Sequence, residues 1–320
     1  MRAATSRLSR GAIIALFLAV SLVWSSMPAA ALSTAPVYAG DFPDPFLLVM
    51  GNTYWAYATG SAGRNLQVMS STDLTHWTSP ADPLPTLPSW AQTGLTWAPG
   101  VIRNGATFLM YYTVHDAASG QQCISVAASP TPGGPFTDSS SSPLLCQHDH
   151  GGSIDPSPMS TSTGTYLQWK SDDNAIGQST HLWSQRLSAD GRSLLGAPSL
   201  LLTEDSPWQS PNIEGPSMFA VGPLYYLFYG AAPWYSASAG IGYALCTSAL
   251  GPCVDMSRSG AWMASHGEAV GPSGPAIFTD YTGSTRIAYH AWTGAVGYEY
   301  GGVRSLWIDR LSLIGVPIVS

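Results

Sequence analysis

The chain has 320 residues, 10% charged and 45% hydrophobic, with 12 Trp, 15 Tyr and a formal charge of -7. So few charges among so many aromatics exclude a disordered chain, and the composition is not the Ala-, Glu-, Lys- and Leu-rich one of a coiled coil or helical bundle. Fifteen Asp and four Glu stand against eleven Arg and a single lysine, Lys170; this acidity excludes nucleic-acid phosphates as partner and suits a neutral or weakly cationic ligand.

The chain opens with Arg2, Arg7 and Arg10, then the 13-residue apolar run from Ala12 to Trp24, then Ala29-Ala30-Ala31. Thirteen apolar residues are too few to span a bilayer, and small residues follow them, so 1–31 reads as a secretion signal. Cleavage leaves residues 32–320 with a charge of -10, as a secreted monomer with no membrane partner. Four cysteines in an exported chain predict two disulfides. Cys246 and Cys253 flank a turn-rich segment that brings them together, which leaves Cys123 for Cys146. A zinc site is the alternative, but no close Cys-x-x-Cys spacing supports it.

A Gly-containing turn followed by an aromatic or β-branched run recurs five times. The copies are Gly51–Tyr57, Gly105–Tyr112, Gly164–Trp169, Gly222–Tyr229 and Gly283–His290. Their spacings are 54, 58, 59 and 62 residues, counted from Tyr54 through Phe108, Tyr166 and Tyr225 to Ile287. A second strand-like segment follows each run, as in Leu66–Met69, Ile124–Ala127 and Ile241–Ala244, and no long segment carries a helical period. The pattern predicts an all-β, single-domain, five-bladed β-propeller over 32–320. A β-sandwich or jelly roll is the alternative, and neither needs a regular repeat.

Ten or eleven residues upstream of each repeated aromatic stand Asp44, Trp97, Asp155 and Glu214; the fifth copy offers Gly271-Pro272-Ser273-Gly274-Pro275. In a propeller the first strand of each blade lines the axis, so equivalent positions converge. Three acids converging in so uncharged a chain repel one another, which points to function rather than to local turn caps. Glycosidic hydrolysis needs a protonated acid and a base, and a third carboxylate can tune the acid.

At these residues the sequence resembles glycoside hydrolase family 43, through Phe-Pro-Asp-Pro at Asp44, Trp-Ala-Pro at Trp97, Ser-Ile-Asp-Pro-Ser at Asp155 and Glu-Gly-Pro at Glu214. The Gly-Pro-Phe turn at Phe136 and Tyr-His-Ala-Trp at His290 add to the likeness. The resemblance implies a five-bladed propeller that hydrolyses arabinofuranosides, arabinans or xylosides with inversion. It implies Asp44 as general base, Glu214 as general acid and Asp155 as the residue that raises and orients the acid. Arg304 would lie near the bound sugar and Trp97 would line the pocket; His290 either faces the axial channel and substrate or is a satisfied core residue. The family's Gly-Pro-Gly-His segment, which holds a metal or water, has no histidine in Gly271–Pro275. No cofactor is therefore required, and an axial calcium loses its usual ligand. His148-Asp149-His150 reads as a solvated loop. The family's xylosidases append a β-sandwich after the propeller, and this chain ends at Ser320. The expected substrate is thus a terminal α-L-arabinofuranoside of arabinan or arabinoxylan. A β-xylosidase, an endo-arabinanase and a non-catalytic sugar-binding propeller are the alternatives.

Overall fold

The five aromatic runs form the second strand of five antiparallel sheets. In the computed structural model the described residues are 32–320, and the predicted signal over 1–31 lies outside them. The first sheet holds β1 (Phe46–Met50), β2 (Thr53–Thr59) and β3 (Leu66–Ser71). The second holds β4 (Ala91–Asn104), β5 (Thr107–Asp116) and β6 (Gln121–Ser129). The third holds β7 (Ser153–Thr161), β8 (Gly164–Ser171), β9 (His181–Leu187) and β10 (Leu194–Thr203). The fourth holds β11 (Ile213–Val221), β12 (Leu224–Ala231), β13 (Gly240–Cys246) and β14 (Cys253–Asp255). The fifth holds β15 (Val270–Thr279), β16 (Thr285–Thr293), β17 (Val303–Ser312) and β18 (Ile318–Val319). The first strands pack on one another in a closed ring, β1 on β4, β4 on β7, β7 on β11, β11 on β15 and β15 on β1. This is the five-bladed propeller.

Side chains along a strand alternate between its two faces. In each second strand both faces are covered by neighbouring blades, so the run can be apolar throughout. In β5, Phe108, Met110 and Tyr112 pack toward the first blade. Leu109 and Tyr111 pack toward the third, against Leu167 and Trp169. In β12, Leu227 and Tyr229 face the third blade, and Tyr226 and Phe228 face the fifth. The large aromatics fill the wedge between twisted sheets, which accounts for the chain's aromatic excess.

The ring closes through the segment before β1. The Val37 amide donates to the Leu306 carbonyl at 2.9 Å and the Phe42 amide to that of Arg304 at 2.8 Å. Phe42 is fully buried between the fifth and first blades. Both expected disulfides are present, Cys123–Cys146 and Cys246–Cys253. They tie outer edges: Cys146 flanks the segment bridged to β6 at Ile124, and Cys253 begins β14.

Candidate active site

One backbone device recurs in every blade. Within the first strand, or in the first blade just ahead of it, one residue adopts the left-handed conformation: Asp44 (φ 53°), Ala98 (43°), Asp155 (56°), Gly215 (57°) and Gly274 (60°). The preceding residue faces the second strand: Trp97 opposite Thr113, Ile154 opposite Lys170, Glu214 opposite Gly230 and Ser273 opposite His290. In the first blade the Thr59 amide donates to the Pro43 carbonyl at 3.0 Å. This frame corrects the spacing-based alignment. Asp44 and Asp155 share the bend, whereas Glu214 and Trp97 stand one residue earlier. Strand alternation would aim neighbours to opposite faces, but the ladder slips at the bend in the last four blades and re-aims them. Both positions therefore reach one cavity.

The second strand of each blade supplies a residue that meets the next blade's bend. Thr59 Oγ1 accepts the Ala98 amide hydrogen bond at 2.9 Å, and Thr113 Oγ1 that of Asp155 at 3.0 Å. His290 Nδ1 accepts that of Asp44 at 3.0 Å. At the matching place in the third blade stands Lys170, with Nζ 3.5 Å from Glu214 Oε2 and 3.4 Å from Asp172 Oδ1. In the fourth blade Gly230 leaves room for Ser273, whose Oγ a side chain there would strike. Sequence reasoning counted Lys170 without assigning it a role; the only lysine in the chain was the available signal.

Asp44, Asp155, Glu214, Trp97 and Arg304 line one cavity of about 490 Å³, together with Lys170, Asn212 and Trp234. His290 does not line it: it is 2% exposed and holds the Asp44 backbone, so it is a buried support rather than a sugar contact. Arg304 Nη1 approaches Asp44 Oδ1 at 3.4 Å. Its guanidinium lies 4.6 Å over the Trp234 ring, and its Nε donates to Tyr298 Oη at 3.0 Å.

The three carboxyls sit in different fields. Burial alone would raise Asp44, but the Arg304 guanidinium and the Thr59 hydroxyl, which donates at 2.6 Å, hold it below the ordinary carboxylate value, and a charged His290 would add to this. Of these Arg304 is the effective cation, because His290 is neutral. Burial and Arg304 depress His290 to about 3, and its Nδ1 is already an acceptor. Burial raises both Asp155 and Glu214. Glu214 adds to the rise of Asp155, and Lys170 opposes both rises. The Gly215 amide donates to Asp155 Oδ2 at 2.9 Å, which ties Asp155 to the backbone beside Glu214. Two carboxyls so placed keep a proton to a higher pH than either would alone.

His290 Nε2 is buried without a hydrogen-bond partner among the described residues. Calcium takes roughly 6–8 oxygen ligands. Because Nδ1 accepts the Asp44 amide, Nε2 of the neutral ring carries the proton and offers an ion no lone pair, so these residues do not fit calcium, and an ordered water suits the atom.

A five-bladed propeller with three carboxylates in its axial cavity has the architecture of a glycosidase. Residues 33–313 match the model of glycosyl hydrolases family 43, and the chain belongs to that family. It is 28% identical over 276 residues to the "Probable arabinan endo-1,5-alpha-L-arabinosidase A" of Aspergillus flavus, across 80% of this chain and 83% of the relative. It is 29% identical over 234 residues to the β-D-galactofuranosidase xynD of Aspergillus niger, across 68% and 64%. A thermostable family-43 glycoside hydrolase of known crystal structure is 26% identical, with a TM-score of 0.78 over 88% of this chain and 93% of that one.

Proposed function

We propose that this glycosidase hydrolyses α-L-arabinofuranosidic bonds of arabinan or arabinoxylan with inversion, releasing arabinose from chain ends. The convergence of Asp44, Asp155 and Glu214 on one cavity carries the reading. In it Asp44, kept ionised by Arg304 and Thr59, takes a proton from the water that attacks the anomeric carbon. Glu214, kept protonated by burial, gives its proton to the leaving oxygen. Asp155 holds the second raised carboxyl against Glu214 and fixes the backbone beside it. Trp97 and Trp234 offer faces for sugar rings. Asn212 lines the same cavity, and its buried Nδ2 has no hydrogen-bond partner among the described residues.

Residues of all five blades surround the cavity, from Phe46 through Trp97, Asn174 and Tyr235 to Pro275. Internal cleavage is the second reading, favoured by the arabinosidase relative. Export accords with the two disulfides, which persist in oxidising compartments, and no cofactor enters the scheme. Linear arabinan and aryl α-arabinofuranoside, β-xyloside and β-galactofuranoside test the substrate. The expected result is arabinose as the first product of arabinan, with its anomeric configuration inverted in proton NMR. Oligosaccharides appearing first would establish internal cleavage. Turnover of the xyloside or galactofuranoside alone would reject the arabinofuranoside assignment.

A further inference from the structure

On the third blade, outside the catalytic cavity, His150, Asp173 and His181 come together from three chain segments. His150 ends the short 3-10 turn His148–His150, Asp173 begins another over Asp173–Ile176, and His181 opens β9. Nδ1 of His150 lies 2.7 Å from Asp173 Oδ1, and Nδ1 of His181 lies 3.0 Å from Asp173 Oδ2. One ligand atom from each of the three lies within 4.8 Å of the others. We propose that His150, Asp173 and His181 form a binding site for a divalent transition cation of the zinc class.

The donor chemistry selects the ion. Two imidazoles and one carboxylate suit zinc and its neighbours, not calcium or magnesium, which seek oxygen. Ligand atoms around tetrahedral zinc stand roughly 3.3 Å apart for bonds near 2.0–2.1 Å, so the present spacings need only small side-chain shifts. A neutral imidazole with its proton on Nε2 presents Nδ1 to the ion. The carboxylate is already held from behind. Ser171 Oγ donates to Asp173 Oδ2 at 2.5 Å, and Trp183 Nε1 donates to Ser171 Oγ at 3.0 Å. Supports of this kind orient metal ligands. The Asp173 side chain is fully buried, while those of His150 and His181 are 37% and 23% exposed. An ion can therefore enter from solvent and keep water at its open position. The His-x-His spacing is not the ligand pair, because His148 Nδ1 is engaged by Gln121 Oε1 at 2.7 Å.

The probe is zinc chloride titrated into the chain over residues 32–320, followed by calorimetry and thermal unfolding. One saturable equivalent per chain and a zinc-dependent rise in Tm are expected. His150→Ala and His181→Ala should each weaken the binding at least tenfold, and His76→Ala, at an exposed histidine paired with Asp73 after β3, should leave it unchanged. The absence of saturable binding would overturn the proposal, as would equal affinity in the His150→Ala/His181→Ala double variant. If that variant does not fold, cobalt(II) absorption of the unaltered protein decides. Intense d–d bands of a four-coordinate nitrogen–oxygen site support the proposal, and the weak spectrum of aqueous cobalt overturns it. Neither readout depends on which sugar the enzyme cleaves.

Discussion

Lys170 shows how one residue can set the working pH of the cavity. It is buried, and attraction to Glu214, Asp172 and Asp155 outweighs its desolvation, so it stays charged. Its charge opposes the rise of Glu214 and Asp155. Activity should follow a bell in pH. The acid limb reports Asp44 and lies below the usual carboxylate range; the alkaline limb reports the raised Asp155–Glu214 pair. Lys170→Met removes the cation, so the pair holds its proton longer. Its alkaline limb should move up by about 1–3 pH units, since an opposite charge at this range commonly shifts a carboxyl by that much. Stability should fall by about 3 kcal/mol or more from breaking a buried ion pair. The two carboxyls have folded-state pKa values above their unfolded ones, so they favour the fold while protonated and oppose it as pH rises through those values. The loss should therefore shrink in mild acid. A kcat/KM profile and pH-dependent unfolding check both effects; an unmoved alkaline limb would show that Lys170 does not tune the acid.

Among the elements, the first strands carry the tightest geometry. Gly100 in β4 faces β7, and a Cβ there would lie 2.6 Å from the Pro156 carbonyl oxygen and against the Pro158 ring. Pro156 directly follows Asp155. Gly100→Ala should thus cost about 1–3 kcal/mol through overpacking and displace the Asp155 bend, lowering kcat as well as Tm. Gly105→Ala serves as the comparison: a Cβ at that hairpin turn meets no atom of the described residues within 4 Å, though its φ of 62° still strains alanine. Equal catalytic loss in both variants would argue against close β4–β7 approach as the cause. The recurring left-handed bend explains why glycine or Asp serves at four of the five places. Glycine carries no Cβ penalty, and Asp tolerates this region better than most residues. Ala98 pays that strain beside Trp97.

At the scale of the whole molecule, stability depends on closing the ring. Phe42 joins the segment before β1 to the fifth blade, alongside the Ser33 amide, which donates to Asp309 Oδ1 at 2.8 Å. Asp41 in the same segment accepts from the Arg304 amide and from Tyr298 Oη, so closure also places the arginine of the cavity. Phe42→Ala should cost about 3–5 kcal/mol, the range for a buried aromatic. Val316→Ala, in an exposed turn, should stay within about 0.5 kcal/mol. Denaturant unfolding of both variants provides the measurement. Comparable losses would show that the junction between the fifth and first blades does not govern stability.

Periodicity and composition alone determined the five blades, because each blade needs a doubly buried second strand and therefore repeats the same aromatic run. They also determined both cysteine pairs and singled out Asp44, Asp155 and Glu214, since acids near Gly and Pro stand out in a chain with so few charges. Only the tertiary structure decided that Glu214 lies one residue before the bend rather than on it. A one-residue offset within a bulge leaves the spacing from the aromatic run nearly unchanged, and the slipped ladder turns both positions toward the same cavity. Only the tertiary structure placed His290 behind Asp44, because a histidine on a second strand can face the cavity or support the next blade, and the neighbouring blade settles which. The roles of Lys170, Asn212 and the His150–Asp173–His181 cluster were likewise not legible, although the single lysine stood out by composition. Their partners lie in other strands or other blades, and no local pattern encodes a contact made when separate segments are brought together by closing a ring.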